Sequence, residues 1–359
     1  MINKSQQTAS VKDIPCPDYA PDYIERHITL NNAICADAEK ITDTIHSALG
    51  GAVPLFITGF GAAAQYNAVT SFQCPVLWLH GCTDTHPSCA GMYIYSVKGQ
   101  EVRTKNSTGV MMCTHESPLG MNGIIGHCRK TEAVLSPPAE TEKVFTDIKN
   151  MLAASGFSFT DIYRTWFYNR DILAWYGSFN KVRTEFYTKE GVFSNILPAS
   201  TGIGAENPFG RNVMYAAAAL KPARGVTIRQ IDSPLQGPAV SYGSSFSRAT
   251  LITQKKFRKV FISGTASIDR TGASVHLGNF KKQTEFTFEV VEKILSSIGM
   301  NFSDITRSIA YIRESADFPV FRSLRHAQGL GTVPMIVTRN TVCRDDLLFE
   351  YEADAVKLE

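Results

Sequence analysis

Two stretches of the chain carry apolar residues at the spacing of an amphipathic helix. In the later stretch, apolar side chains recur at intervals of three and four from Phe288 to Leu295, which predicts a helix over residues 285–297. Gly299 follows at the position where a left-handed helix end favours glycine. The apolar run at 308–312 then predicts a strand.

An internal repeat organises the chain. Residues 141–170 align without gaps on residues 284–313, and eleven of the thirty positions are identical. The identical pairs include Tyr168 with Tyr311. Each copy reads as helix, turn and strand, which indicates that one structural unit is present twice, the alternative being a chance similarity.

The repeat continues beyond the aligned segment. A second amphipathic stretch follows each strand, at 175–186 and 318–326, and a terminal strand follows at 213–220 and 349–356. The predicted fold class is α+β, with two tandem sandwiches of a sheet and two helices, the first copy being degenerate. The predicted domains are an N-terminal extension over 1–50, a degenerate half over 51–222 and a half with an acidic site over 223–359. The candidate strands at the front of the degenerate half are 55–59, 75–80, 92–97 and 109–114.

Composition and charge narrow the class of protein. Apolar residues make up 44% and charged residues 19% of the chain, as in globular proteins. The formal charge is +3 and no basic stripe is present, which argues against nucleic acid as a partner. No apolar run approaches the roughly 20 residues that span a bilayer, and the start lacks a signal-peptide pattern, so we expect no membrane partner and a cytoplasmic protein.

Cysteines and histidines cluster in the first third of the chain. Seven of the eight cysteines lie in the first 128 residues, without a CxxC pair. Zinc sites usually present two tightly spaced ligand pairs, which this region lacks, so we expect buried structural thiols and no metal. The alternative is a metal site drawn from His80, Cys82, His86, Cys89, His115, His127 and Cys128.

The two copies differ in their terminal strands. The second copy has Glu350 and Glu352, which alternation places on one face, whereas the first copy has Met214 and Ala216 at the matching positions. A carboxyl group on a largely apolar strand has a raised pKa, which suits a general acid or base. Glu350 is therefore a candidate catalytic residue, the alternative being a solvated or structurally paired face.

Arginines and a glycine-containing loop are candidate binding groups. Arg313, Arg248 and Arg183 could each grip a carboxylate bidentately, although a single arginine is more often a surface or ion-pair residue. The loop 198–204, with Thr201 and Gly202, offers backbone N–H groups to an anion. It is neither a Walker loop nor a dinucleotide fingerprint, and the sequence gives little support to nucleotide binding.

The second half resembles the YjgF/RidA family. The residues that carry the resemblance are Ile262-Ser263-Gly264-Thr265-Ala266-Ser267, Gly272, His276-Leu277-Gly278-Asn279, Gln283-Thr284, Tyr311-Ile312-Arg313 and 349–355. The resemblance implies chorismate-mutase-like folds, trimers with sites between subunits, and hydrolysis of enamines and imines. It implies a carboxylate-binding arginine just after a Pro-x, where this chain has Met335 or Ile336, and a water-orienting glutamate, which corresponds to Glu350.

The whole chain is more similar to the chorismatase branch, in which a degenerate copy precedes a RidA-like one. The segments that carry this likeness are Thr165-Trp166-Phe167-Tyr168, Trp175-Tyr176, Phe179 to Arg183, 198–204, Tyr242 to Ala249 and Cys343-Arg344-Asp345-Asp346-Leu347-Leu348.

This second resemblance implies hydrolysis of chorismate, or a related enolpyruvyl or cyclic carboxylic acid, to pyruvate and a hydroxylated ring acid without a cofactor. Arg313 with Arg248 or Arg183 would hold the two carboxylates, and Glu350 would donate a proton. Tyr242 and Tyr176 would bind ring hydroxyls. The alternatives are an imine deaminase and a non-catalytic small-acid-binding protein. The family resemblance also implies a homo-oligomer, namely a trimer.

Overall fold

The protein is described by a computed structural model over residues 9–32, 37–107, 109–127, 135–255 and 257–358. Within these ranges, seventeen strands form three sheets, and helices pack against each sheet. This arrangement confirms the predicted α+β class. None of the helices within these ranges has the length and apolar composition needed to cross a membrane.

The N-terminal unit is a five-stranded sheet with two helices. Its elements are β1 (Ala9–Pro15), β2 (Ile24–Asn31), α1 (Ala38–Leu49), β3 (Val53–Gly61), α2 (Ala63–Asn67), β4 (Val76–Leu79) and β5 (Cys89–Lys98). The sheet order is β1-β2-β5-β3-β4, and only β3 and β4 run parallel among these pairs. Asp37 caps α1, and Ile41, Ile45 and Leu49 form its buried stripe.

The middle unit is a six-stranded sheet with two longer helices. Its elements are β6 (Arg103–Ser107), β7 (Val110–Ser117), β8 (Gly120–His127), α3 (Pro137–Ala154), β9 (Ile162–Asn169), α4 (Ile172–Lys189), β10 (Ala199–Gly204) and β11 (Val213–Pro222). The sheet order is β6-β7-β8-β11-β9-β10, with β9 and β10 parallel.

The C-terminal unit repeats this plan. Its elements are β12 (Thr227–Ile231), β13 (Ala249–Gln254), β14 (Phe257–Ala266), α5 (Phe280–Ser297), β15 (Ile305–Ile312), α6 (Phe318–Ala327), β16 (Ile336–Arg339) and β17 (Phe349–Leu358). The sheet order is β12-β13-β14-β17-β15-β16, with β15 and β16 parallel. The helix and strand predicted from the repeat are both confirmed in the middle and C-terminal units.

The same strand order therefore occurs three times. The N-terminal sheet reproduces it without the first strand, and α1 and α2 occupy the two helix positions. The predicted duplication is confirmed. A third, shorter copy precedes the two predicted ones, so the domain boundaries differ from the predicted ones. Residues 53–98 form one sheet with residues 9–31, so 1–50 is not a separate extension and 51–222 is not one half. The third copy was missed because its second helix has only five residues and its first strand is lacking.

The three units close into a ring about a pseudo-threefold axis. The strand at the end of each sheet order packs against the next unit, because β4 contacts β8, β10 contacts β14, and β16 contacts β2 and β5. Phe60, Tyr168 and Tyr311 occupy equivalent places and meet on the axis. The Phe60 ring centroid lies 5.9 Å from that of Tyr168 and 6.1 Å from that of Tyr311, and the two hydroxyls are 2.7 Å apart.

A buried ion network on this axis joins the middle and C-terminal units. Arg164 of β9 and Arg307 of β15 each place Nη2 2.6 Å from a carboxylate oxygen of Glu352. Arg307 Nη1 also lies 3.3 Å from Oδ2 of Asp354. Burial alone would raise the pKa of Glu352, but the two guanidiniums lower it below its ordinary value. Glu352 is thus an ionised structural group.

Candidate functional site

A small cavity lies between the middle and C-terminal units, next to Glu350. Its volume is about 50 Å³. The residues that line it are Tyr176, Arg183, Ser200, Gly202, Tyr242, Ser244, Phe246, Arg248, Gly264, Ala266, Ile268, Cys343, Arg344, Leu347 and Glu350. A space of this size holds only a few water molecules, so a ring-sized ligand requires lining side chains to move outwards.

Glu350 is the acidic group of this cavity. It lies on β17 between Ala266 of β14 and Tyr311 of β15, and its side chain is buried. Burial, followed by the negative charge of Glu352, raises the pKa of Glu350 to about 8, against the opposing effect of Arg164 and Arg344. The carboxyl group is therefore largely protonated at neutral pH and can donate a proton.

Gly264 makes room for this carboxyl group. It lies on β14 directly against Glu350, and a Cβ atom at position 264 would overlap the Glu350 carboxylate. Because no side chain intervenes, the acid reaches the cavity while remaining buried among the strands. Gly264 is part of the motif on which the family resemblance rests, and this contact gives its physical reason.

Three arginines line the cavity together with Glu350, namely Arg183, Arg248 and Arg344. Within the described ranges, no carboxylate oxygen lies within 4.0 Å of the side-chain nitrogens of Arg183, Arg248 or Arg344. Neutral groups hold each guanidinium instead. Arg183 and Arg248 are buried and Arg344 is partly buried, and this cluster of positive charge without carboxylate partners suits an anionic ligand.

The neutral partners of these arginines fix their orientation. Arg248 donates from Nε and Nη2 to the carbonyl of Gly237, at 3.0 and 2.8 Å. Arg344 donates to the carbonyl of Gly272 at 2.7 Å, and Arg183 donates to Oδ1 of Asn180 at 2.7 Å. Each arginine keeps further N–H groups for a ligand.

Tyr242 lies between two of the arginines. The guanidinium carbons of Arg248 and Arg344 are each 5.5 Å from its ring centroid. Its segment, Ala239–Tyr242, is a short 3₁₀ helix followed by Gly243 at φ 84°. Tyr242 is partly exposed.

Tyr176 and Cys343 form the opposite wall. The hydroxyl of Tyr176 lies against Gly202, where a Cβ atom would be 3.2 Å from it. Burial raises the pKa of the Cys343 thiol to about 12, so the thiol is protonated at neutral pH. Both groups can therefore donate hydrogen bonds to a bound ligand.

The structure gathers most of the predicted site residues in this cavity. Glu350, Arg248, Arg183, Tyr242, Tyr176 and Gly202 all line it. They come from the middle and C-terminal units of one chain, whereas the family resemblance implies sites between subunits. Arg344 and Cys343 also line the cavity but were not predicted, although both belong to a segment quoted for the resemblance. Nothing in the sequence pattern indicated that Arg344, rather than Arg313, lines the Glu350 cavity.

The structure places Arg313 outside the Glu350 cavity, contrary to the prediction that it binds the substrate beside Glu350. It follows the last paired residue of β15, Ile312, and therefore lies beyond the end of the sheet. Its side chain lines a separate cavity of about 780 Å³ and donates to the backbone carbonyls of Arg344 and Asp345. Arg313 holds the backbone that carries Arg344, and it does not line the Glu350 cavity.

The structure also places Thr201 outside the lining of this cavity, contrary to its prediction as a substrate-binding residue. Its side chain is buried and is consumed by the axial network, because it donates to Glu352 and accepts from Nη2 of Arg164 at 2.8 Å. It also accepts from the backbone N–H of Gly264 at 3.1 Å. Thr201 therefore links the network to the strand beneath Glu350 and does not line the cavity.

The residues considered as metal ligands have other environments. Burial lowers the pKa of His115 to about 4, and its ring packs against Tyr95. The ring of His86 is hydrogen-bonded to Asn32 at 2.9 Å. In the described part of the chain, no three His, Cys, Asp or Glu side chains are placed to hold a metal ion. Cys35 and Cys128 lie outside the described residues.

Comparison with known proteins places the fold. Residues 244–328 match the family model described as endoribonuclease L-PSP. A chorismatase crystal structure superposes with a TM-score of 0.67 at 20% identity, covering 84% of this chain and 93% of the other. The class defined by the fold and the cleft is thus a RidA-like protein with the strand order repeated within one chain.

Curated relatives agree with this class. The chain is 25% identical over 237 residues to a chorismatase of Streptomyces hygroscopicus and 26% identical over 243 residues to one of Streptomyces rapamycinicus. The matches cover 59% and 60% of this chain and 66% and 69% of those proteins. A 65-residue segment, 18% of this chain, is 31% identical to 3-aminoacrylate deaminase RutC of Acinetobacter baylyi, over 52% of that protein. The family-model match, these relatives and the chorismatase structure together support a chorismatase-like branch of the YjgF/RidA superfamily.

Proposed function

We propose that the protein is a cofactor-independent hydrolase that cleaves chorismate, or a closely related enolpyruvyl ring acid, to pyruvate and a hydroxylated ring acid. The observation that carries the proposal is the Glu350 cavity, which three arginines without carboxylate partners line together with one protonated carboxyl group. The curated relatives named chorismatase support the same reaction class.

The arginines suit a substrate with two carboxylates. Chorismate carries one carboxylate on its ring and one on its enolpyruvyl group, and both must be held to orient the vinyl ether. Arg248 and Arg344 lie on either side of Tyr242, and Arg183 approaches from α4 of the other unit. Binding of both carboxylates by arginines would hold the enolpyruvyl group in a fixed orientation for the reaction.

Glu350 would supply the proton. Its O–H bond breaks as a C–H bond forms at the terminal methylene of the enolpyruvyl group, which leaves an oxocarbenium-like carbon. Water adds to this carbon and loses a proton to the Glu350 carboxylate. The resulting hemiketal collapses to pyruvate and the ring alcohol, so the carboxyl group is restored.

The arginine assignment makes a graded prediction. Arg344→Ala is expected to lower kcat/KM for chorismate by about 10- to 150-fold, because a hydrogen bond to a charged group contributes about 1.5–3 kcal/mol. Arg313→Ala is expected to have a smaller effect, since Arg313 only holds the backbone of residues 344 and 345. Steady-state kinetics of both variants measures this. A larger loss in the Arg313 variant would restore Arg313 as a direct substrate ligand.

The ring closed by one chain makes a prediction about assembly. The family resemblance led us to expect a homotrimer with sites between subunits, but here the Glu350 cavity lies between two units of the same chain. We therefore expect an active monomer of 39.5 kDa. Light scattering at the concentration of the kinetic assay measures the mass. Activity confined to a trimeric fraction would contradict this expectation.

An imine deaminase is the second candidate, because the RutC segment matches locally. Against it, Met335 and Ile336 occupy the positions where the resemblance implies a carboxylate-binding arginine. Parallel assays of pyruvate from chorismate and ammonia from imino acids separate the two. Ammonia release with no pyruvate would favour the deaminase, and tight acid binding with neither product would favour a non-catalytic binding protein.

A further inference from the structure

A second cleft lies between the C-terminal and N-terminal units, at the pseudo-equivalent place of the Glu350 cavity. Strand register establishes the equivalence. Val337 of β16 pairs with Ala310 of β15, and Gly202 of β10 pairs with Phe167 of β9. Ala310 and Phe167 occupy the same position in the aligned repeat. Val337 of the second cleft therefore corresponds to Gly202 of the first.

The acid of the first cavity has no counterpart in the second cleft. In the C-terminal unit, Glu350 is the cross-strand partner of Tyr311. In the N-terminal unit, the residue equivalent to Tyr311 is Phe60, whose ring contacts that of Tyr311 on the axis, and the cross-strand partner of Phe60 is Gly91. Gly91 thus occupies the place of Glu350. A cleft without this proton donor cannot perform the protonation proposed for the first cavity.

The second cleft is nevertheless large. Its volume is about 700 Å³, which is in the range of small-molecule sites, roughly 300–1,000 Å³. Phe318, Phe321, Met335 and Val337 form an apolar wall. Such a wall suits the body of a ring-containing molecule.

One positive charge in this cleft lacks a carboxylate partner. Arg325 lines the cleft and donates to the backbone carbonyls of Leu330 at 3.2 Å, Gly331 at 3.3 Å and Val333 at 3.0 Å. No carboxylate within the described ranges lies within 4.0 Å of it. Carbonyl groups hold Arg248 and Arg344 in the same way. By contrast, Arg322 is neutralised by a bidentate pair with Asp84, at 2.8 and 2.7 Å.

Polar groups of the N-terminal unit complete the lining. Asn32, Thr83 and His86 are hydrogen-bonding side chains of this unit in the cleft. Groups of this kind bind hydroxyl substituents. The cleft therefore combines one arginine without a carboxylate partner, an apolar wall and several hydrogen-bonding side chains.

We infer that the cleft between the C-terminal and N-terminal units is a non-catalytic binding site for a hydroxylated ring monocarboxylate, held at Arg325. The single unpaired arginine selects one carboxylate, whereas the three arginines of the Glu350 cavity suit two. This inference concerns binding alone and does not depend on the proposed reaction.

The test is calorimetric titration with 4-hydroxybenzoate as the probe. Arg248→Ala/Arg344→Ala is used as the background to disable the Glu350 cavity, and one site per chain is expected to remain. Adding Arg325→Gln is expected to weaken the remaining binding by about tenfold or more. Val337→Phe, which fills the cleft from the edge strand, is expected to do the same without removing a charge.

Arg229→Gln is the matched control, because Arg229 is an exposed arginine on β12 and does not line the cleft. Circular dichroism and thermal unfolding identify folded variants, and a weakened titration in either folded cleft variant supports the site. The inference is overturned if the background variant binds no probe at millimolar concentration. It is equally overturned if binding survives both Arg325→Gln and Val337→Phe.

Discussion

Replacement of Glu350 by glutamine is expected to lower kcat for chorismate by about 10²–10⁴-fold, which is the usual contribution of one general acid. The carboxamide has nearly the same shape but no acidic proton. Chorismate binding, measured by calorimetry, should change little, because the three arginines remain. Pyruvate release followed by a coupled assay gives the rate.

Glu350→Asp is the matched control. It keeps the acid but withdraws it from the cavity, so it should retain more activity than Glu350→Gln. If Glu350→Gln turned over chorismate at a rate comparable to the unmodified protein, Glu350 would not be the proton donor.

The pH profile should follow the same group. Since the pKa of Glu350 is raised to about 8, kcat/KM is expected to fall above about pH 8 as the carboxyl group ionises. The raised pKa also makes the folded protein progressively less stable as pH rises from about 4.5 to about 8, because the unfolded state ionises first. Glu350→Gln should remove this contribution to the pH dependence of unfolding.

The second large effect concerns stability. Arg307→Met is expected to lower the free energy of unfolding by about 3–5 kcal/mol. The substitution removes the guanidinium that pairs with Asp354 and with one carboxylate oxygen of Glu352, and it leaves these buried acidic groups poorly compensated. Urea unfolding followed by fluorescence measures the change. Activity should also fall, because Glu352 connects through Thr201 to the strand beneath Glu350.

Arg103→Met is the control for this effect. Arg103 and Glu101 form an ion pair whose side chains are 78% and 70% exposed, so its loss should change the free energy of unfolding little. Equal changes in the two variants would contradict the role given to the axial network.

The repeat made the middle and C-terminal units predictable. The helices α3 and α5 keep the same apolar stripe, glycine end and following strand, so a gap-free alignment reveals them. The N-terminal unit keeps the strand order but not the side chains. At the axis it has Phe60 where the other units have tyrosine, and at the acid position it has Gly91. Because the N-terminal unit has the same strand order but different residues at the equivalent positions, sequence alignment does not reveal it as a third copy.

The candidate site was predictable where a residue type carries its own chemistry. Glu350 is identifiable because a carboxylate on an apolar strand is unusual. Arg183 and Arg248 are identifiable because guanidinium groups bind carboxylates and both residues lie in segments that carry the resemblance. The orientation of a side chain beyond a strand end is set by tertiary packing, so the sequence pattern pointed to Arg313 and did not reveal Arg344. Thr201 was misassigned because its partners, Glu352 and Arg164, come from distant parts of the chain.

The most direct test of the central claim is the fate of oxygen when the purified protein acts on chorismate in ¹⁸O-labelled water without added cofactor. Protonation by Glu350 followed by attack of water on the enolpyruvyl carbon predicts one pyruvate per chorismate and a ring acid free of ¹⁸O, because the ether oxygen stays on the ring. Mass spectrometry of the ring product measures this. Absence of pyruvate, or a ring acid that carries ¹⁸O at the cleaved position, would contradict the account.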